Sequence, residues 1–300
     1  MQSKFSDKQL ALFTIIDAII LGGALAPSTK ISLQSIPVFS YNLIRFTGAT
    51  LVLFPFFLKH APKTSKHFYK VLFLSLFLTG NVMLAPIGIA LTTATISQMI
   101  YVFVPIIVAV ISYFIGVEVF NMRKITGLII GFLGAIVIII LPEIEHFSPF
   151  SGNIQGNLII FAAAITMALY TVFSKKYHTH YTPLQLTSFF VFITFAITLP
   201  FAVSDIVYHP LWWHHVTSAA LIAALYNGIL GTTGYYLLYQ YAIKHGSPVI
   251  ASMLLYLQPA ATFVWASLLL GEQITAGFLI GTTLAFIGVY LTINARITRK

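Results

Sequence analysis

The sequence predicts an all-α membrane protein of ten transmembrane helices, built as two five-helix repeats inverted relative to each other, with both termini inside. Three observations predict it. Hydrophobic residues make up 58% of the 300-residue chain and charged residues only 8%, too little polar material to cover a soluble domain of this size. Apolar runs recur at the length of a bilayer crossing, about 20 residues. Finally, two stretches 154 positions apart match without a gap: Met99, Pro105, Glu118, Gly127, Phe132 and Gly134 recur as Met253, Pro259, Glu272, Gly281, Phe286 and Gly288.

The first span is read over 9–29. Its apolar run is interrupted by Asp17, and no small-residue cleavage motif follows it, so it is a span rather than a removable leader. The second and third spans cover 36–58 and 68–92, and the fourth covers 94–115. The break near Thr92–Thr95 is weakly marked, but 68–115 is too long for one crossing. The fifth and sixth cover 124–141 and 156–174, the seventh 184–204, the eighth 216–243, the ninth 247–270 and the tenth 275–295. The apolar runs are continuous rather than alternating, which argues against a β-barrel.

Charge supports this count. Of the sixteen Lys and Arg, Lys30 is placed outside and Arg45 within a span, and all the others fall in inside segments. Glu143, Glu145, Asp205 and Glu272 fall outside. Positive residues mark cytoplasmic loops, so the bias sets both termini inside, and merging two spans would scramble it. The pI near 9.6 follows from topology. Nucleic-acid binding needs a concentrated basic face, whereas these charges are spread over loops. With no cysteine, a disulfide framework is excluded.

Five spans per half is an odd number, so the second half crosses the membrane upside down. Residues 1–146 form the first repeat and 147–300 the second, with Glu118 in an inside loop and Glu272 in an outside loop. The earlier parts of the halves align at an offset of 146, where Ser28, Lys30, Pro37 and Phe46 meet Ser174, Lys176, Pro183 and Phe192. The change of offset implies about eight extra residues near the eighth span, with Asn81 and Asn227 falling at the shorter offset. Pro105 and Pro259 lie inside the fourth and ninth spans, where each removes a backbone hydrogen bond and favours a kink. Broken helices at equivalent places in inverted halves point to a central site.

This pattern resembles the ten-helix drug/metabolite transporter superfamily, in the branch with two EamA-type repeats. Lys30, Ile36-Pro37, Leu43-Ile44-Arg45-Phe46, the segment from Ala90 to Pro105, Glu118 and Gly127–Gly134 carry the likeness. Tyr241-Ala242, Ser247-Pro248, Pro259, Gly271-Glu272 and Gly281–Gly288 echo it. The resemblance implies a bacterial inner-membrane carrier, often an exporter of amino acids or related metabolites, with a cavity between its halves. The chain departs from the pattern in having Val117 where the second half has Gly271, and in carrying Asp17 in its first span.

Asp17 and Arg45 are the charged residues placed well inside spans, where burial costs several kcal/mol and function is the default expectation. They could pair with each other, or each could hold part of a zwitterionic or anionic solute. A carboxylate of raised pKa at Asp17 could also couple transport to a proton. Polar stripes at helical spacing add further candidates: Gln98, Tyr101, Pro105 and Ser112; Thr166, Tyr170 and Ser174; Asn227, Tyr235 and Tyr239; Ser252 with Tyr256, and Gln258 with Trp265. With Asn81 they suit an aromatic-lined cavity for a small organic solute. Taken singly, each also fits interhelical hydrogen bonding or an interfacial anchor.

Glu118 and Glu272 end helical hairpins and are read, with Pro105 and Pro259, as structural or hinge residues. His214-His215 lacks a third ligand and fits an aromatic belt with Trp212-Trp213 better than a metal site. The sequence contains no Walker loop, nucleophile elbow or zinc motif, so neither a cofactor nor enzyme chemistry is expected. The resulting expectation is a secondary transporter moving a small organic metabolite outward by alternating access. Import of a scavenged metabolite is the closest rival, and a membrane scaffold or embedded enzyme is the alternative from other classes. The lipid bilayer, the solute, a coupling proton and a second copy of the chain are the candidate partners.

Overall fold

The computed structural model describes residues 7–62, 67–91, 97, 100–145, 153–270 and 276–295. Among the described residues the chain is helical and contains no strand. α1 (Asp7–Gly23) and α2 (Leu25–Ser32) form the first span, α3 (Val38–Lys59) the second and α4 (Phe68–Leu91) the third. The fourth ends in α5 (Val104–Phe114), and α6 (Met122–Glu145), α7 (Ile154–Tyr177) and α8 (Pro183–Tyr208) are the fifth to seventh. The eighth joins α9 (Ser218–Tyr226), a π-helical segment (Asn227–Gly234) and α10 (Tyr235–His245). The ninth is α11 (Pro248–Ser252) with α12 (Leu254–Leu270), and the tenth is α13 (Ala276–Ile293).

Local chemistry explains the boundaries. Asn153, Thr182, Thr217 and Ser247 each accept a hydrogen bond from a backbone N–H in the first turn of the helix that follows, supplying partners for donors that a helix start leaves open. Gln185 completes a capping box with Thr182. α5 stops at Gly116, whose φ of +69° terminates the helix without Cβ strain. The first span breaks at Ala24, three residues before Pro27, which cannot donate to the carbonyl of Gly23.

Helices that the repeat makes equivalent pack together and run antiparallel. The start of α3 meets the end of α8, where Ser40 N donates to Asp205 Oδ2 at 2.6 Å. At the other end of the pair, Gln185 Nε2 donates to the carbonyl of His60 at 2.7 Å. α6 and α13 cross in the same sense through glycines: Gly127 and Gly131 face Gly288, and Gly134 faces Gly281 and Ala285. α4 packs on α7, and α1 packs on α10. These last two contacts exchange when the halves exchange, so the packing has a pseudo-two-fold axis between inverted halves. One end of the bundle gathers Lys59, His60, Lys124, Lys175, Lys176 and Lys244, whereas Asp205 and Lys30 lie at the other, matching the charge separation in the sequence.

The register corrects one alignment. Gly80 packs on Thr166 and Gly234 on Leu21, near-equivalent levels under the offset of 146 for the first and sixth spans. α4 and the eighth span therefore match at 154, and Asn81 corresponds to Tyr235 rather than Asn227. Asn227 instead bonds Leu25 and Thr29, while Asn81 bonds Ala163. The extra length thus enters before Gly234, and the π segment lies there. Thr232 Oγ1 and Thr233 Oγ1 donate to the carbonyls of Asn227 and Gly228, five residues back, at 2.7 and 3.3 Å. These bonds support the wider winding, and π segments mark functional regions in many helices.

Candidate functional site

A half-open cavity of about 100 Å³ lies between the halves, smaller than a typical drug-sized ligand site. Leu25, Ala26 and Thr29 of α2 and Ala85, Pro86 and Ile89 of α4 line the part toward the end opposite the lysines. Arg45, Asn81, Tyr101 and Gln258 give the deeper wall its polar groups, with Tyr235 and Tyr236 beside them.

Each polar group is held in place. Asn81 Nδ2 donates to Tyr101 Oη at 2.7 Å and to the carbonyl of Ala163 at 2.8 Å, tying α4 to the fourth and sixth spans. Arg45, only 6% exposed, donates from Nε to Thr232 Oγ1 at 2.6 Å. The Tyr236 hydroxyl lies near it, and its guanidinium carbon is 5.4 Å from the Phe46 ring centroid. Gly228 sets this geometry, because its lack of a side chain lets the π segment rest on the backbone of Arg45. From the wall, Thr29 connects to Tyr41 and Asn227 behind it: Asn227 Nδ2 donates to Tyr41 Oη at 2.8 Å, and Tyr41 Oη lies 2.8 Å from Thr29 Oγ1.

The broken first span is held by the second half. The carbonyls of Ile20, Leu21 and Gly22 accept from Trp265 Nε1 at 3.2 Å, Tyr226 Oη at 3.0 Å and Gln258 Nε2 at 3.3 Å. A carbonyl only accepts, so Gln258 is oriented with its amide nitrogen on Gly22 and its oxygen free.

Below the cavity, toward the lysine-rich end, Tyr235 and Tyr239 stack at 6.1 Å and Tyr236 packs on Phe190 at 5.0 Å. Tyr239 Oη bonds Thr171 Oγ1 at 2.7 Å. Tyr170, 1% exposed, and Tyr256, 0% exposed, are packed into the interior and stand outside the cavity wall. Asn227 lies one layer behind the wall, Trp265 is engaged with α1, and Asp17 is exposed on α1. Gln98 and Glu272 lie outside the described residues. Pro105 is buried in the first turn of α5, just after a turn at Val102–Phe103, while Pro259 is inside α12. Glu118 pairs with Lys124 and accepts from Val249 N at 3.3 Å, joining the first half to the start of α11.

Sequence reasoning passed over Thr29, Tyr236 and Thr232. Thr29 follows the break that Pro27 imposes, and that proline was the available signal. Thr232 and Tyr236 reach the Arg45 side through the π segment, whose period no helical-wheel reading anticipates.

At the lysine-rich end, burial pushes His178 down from the ordinary 6.5 to about 4. A hydrogen bond to Gln240 opposes the shift, and the charges of Lys175, Lys244 and His245 add to it. The folded protein declines a proton that the unfolded chain binds below about pH 6.5. Stability from this group is therefore complete above pH 6.5 and is lost as pH falls toward 4. Thermal unfolding in detergent at pH 7 and pH 5 is expected to show a loss of up to about 2 kcal/mol from His178, and His178→Gln should flatten that difference. Equal pH slopes in the two proteins would refute the assignment.

The matches to known proteins agree with this architecture. A family model described as the EamA-like transporter family matches residues 9–140 and 154–294. An uncharacterized transporter of Archaeoglobus fulgidus is 29% identical over 57% of this chain and 58% of its own length. The uncharacterized transporter YoaV of Bacillus subtilis is 23% identical over 92% of this chain and 94% of its own. A solved crystal structure superposes with a TM-score of 0.76 at 18% identity, covering 97% of this chain and 100% of that one, and so shares the fold. Two matched repeats that together span most of the sequence, on a helical bundle whose equivalent helices run antiparallel, show that the chain belongs to the EamA-like transporter family of the drug/metabolite transporter superfamily.

Proposed function

We propose that this membrane transporter is a secondary carrier that moves a small organic metabolite by alternating access. The observation that carries the reading is the cavity on the pseudo-two-fold axis, walled by both halves and extending toward one end of the bundle. The other end is filled by packed tyrosines. Exchange of the inverted halves about that axis would move the opening to the lysine-rich side, as in other inverted-repeat carriers. The wall is assembled by hydrogen bonds that cross between spans, with Arg45, Asn81, Tyr101, Tyr235 and Gln258 as its substrate-facing groups. The direction is export across a bacterial inner membrane, which the family resemblance favours over import. Asp17, the candidate for proton coupling, stands on an exposed face apart from the cavity, so the cavity reading does not depend on it.

The test is flux in sealed proteoliposomes of known orientation, loaded with a broad panel of labelled amino acids and organic metabolites. At least one solute is expected to cross faster than in protein-free vesicles, saturably, with exit favoured through the face opposite the lysine-rich end. Absence of flux for the whole panel, together with absence of ligand-induced thermal stabilisation, would overturn the carrier reading.

A further inference from the structure

Resting on that carrier reading, we infer that the transported solute is an organic monocarboxylate with an apolar or aromatic body and a neutral hydrogen-bond donor, rather than a zwitterionic amino acid. Arg45 is the one charged side chain in the cavity wall among the described residues. Its neighbours are neutral: the Thr232 hydroxyl to which it donates, the nearby Tyr236 hydroxyl and the face of Phe46. Among the described residues the ion pair is Lys124–Glu118, which uses a different cation, and no described carboxylate compensates Arg45. A buried cation without a counter-ion is strongly unfavourable, and a bound anion relieves that cost.

The geometry narrows the anion. A guanidinium presents five N–H donors in a planar fork that matches the two oxygens of a carboxylate. Thr232 orients the fork, because its own hydrogen is committed to the carbonyl of Asn227 and its oxygen is left to accept from Arg45 Nε. A single cation balances one negative charge, which favours a carboxylate over a doubly charged phosphate. An ammonium on the same solute would meet no carboxylate in this wall, and would lie in the field of Arg45.

The rest of the wall describes the rest of the solute. Pro86, Met167, Leu255 and the tyrosine rings offer apolar and aromatic surface. Gln258 Oε1 is a buried acceptor with no hydrogen-bond partner, fixed in orientation by the bond from Nε2 to Gly22. It calls for a neutral donor, such as a hydroxyl, because a buried acceptor left open is costly.

Three probes separate the charges on a constant body: 3-(4-hydroxyphenyl)propanoate, its primary amide, and tyrosine, which is the same acid with an added ammonium. In proteoliposomes and in ligand-induced thermal stabilisation, the carboxylate is expected to exceed both the amide and tyrosine by tenfold or more in apparent affinity. Arg45→Gln should remove at least tenfold from the carboxylate and leave the amide within about twofold, while Arg45→Lys should keep part of the anion preference. Monodispersity on gel filtration checks that the variants fold, and if Arg45→Gln does not, the wild-type comparison decides alone. Tyrosine or the amide equalling the carboxylate would overturn the inference. Flux of other solutes with none for the carboxylate would sink it too, while the carrier reading stood. No flux for any solute would remove both.

Discussion

Glu118→Gln is expected to destabilise the purified protein by about 3–5 kcal/mol, the usual cost of breaking a buried ion pair from one side. Glu118 and Lys124 are both nearly inaccessible, at 5% side-chain exposure each. Removing the carboxylate charge strands the ammonium of Lys124 in the packed hairpin between α5 and α6. It also weakens the bond that Val249 N donates at the first turn of α11, so the loss reaches the other half of the molecule. Lys124→Met in the Glu118→Gln background should recover much of the stability, because an uncharged pair no longer leaves an isolated ion. Melting in detergent, followed by size exclusion after heating, reads both effects. A Glu118→Gln protein that melts within about 0.5 kcal/mol of wild type would show that this pair is solvated rather than buried.

Gly288→Leu should have an effect as large, at least about 3 kcal/mol, because it overpacks a site with no room to yield. A Cβ at this position would overlap the backbone N and Cα of Gly131 and the carbonyl of Gly127. Flexible side chains can rotate away from an intruder, but two helix backbones in contact must separate as bodies. α6 and α13 would part along their length, exposing the glycine seam on which Thr292 and Ala285 also pack. Loss of monodisperse protein, or a collapse of the melting temperature, is the expected outcome. Gly80→Ala is the matched control: its Cβ would sit 3.6 Å from Thr166 Cγ2, an ordinary contact. It should leave stability unchanged or slightly raised, since alanine favours helix over glycine. If Gly288→Leu behaved like Gly80→Ala, the close crossing of α6 and α13 would be wrong.

Much of the architecture was legible because the bilayer imposes a coarse code. Apolar runs of one crossing length and the placement of lysines led to the ten-span, two-repeat reading, and the lysines do gather at one end of the bundle. The recurrence of Pro105, Glu118 and Gly127 at Pro259, Glu272 and Gly281 carried the duplication. What stayed hidden depends on departures from regular winding. Pro27 was visible, yet the bonds that the Ile20, Leu21 and Gly22 carbonyls accept from Trp265, Tyr226 and Gln258 are revealed only by tertiary contact. The π segment has no periodic signature beyond glycines at 228, 231 and 234, so the register between Asn81 and Asn227 was set at the wrong offset. Arg45 stood out as an intramembrane charge, but the neutral identity of its partners did not.

The π segment has a further consequence for the cycle proposed above. Two identical inverted halves would make the two conformations of a carrier equivalent under a two-fold rotation and equal in energy, and half of the molecules would face each way at rest. The wider winding at Asn227–Gly234, pinned by Thr232 and Thr233 and pressed against Arg45, occurs in the second half, where α4 in the first half winds regularly. The degeneracy is therefore lifted by construction. In that proposed cycle the unloaded protein would have a preferred side, and a solute engaging Arg45 would act on an equilibrium already tilted.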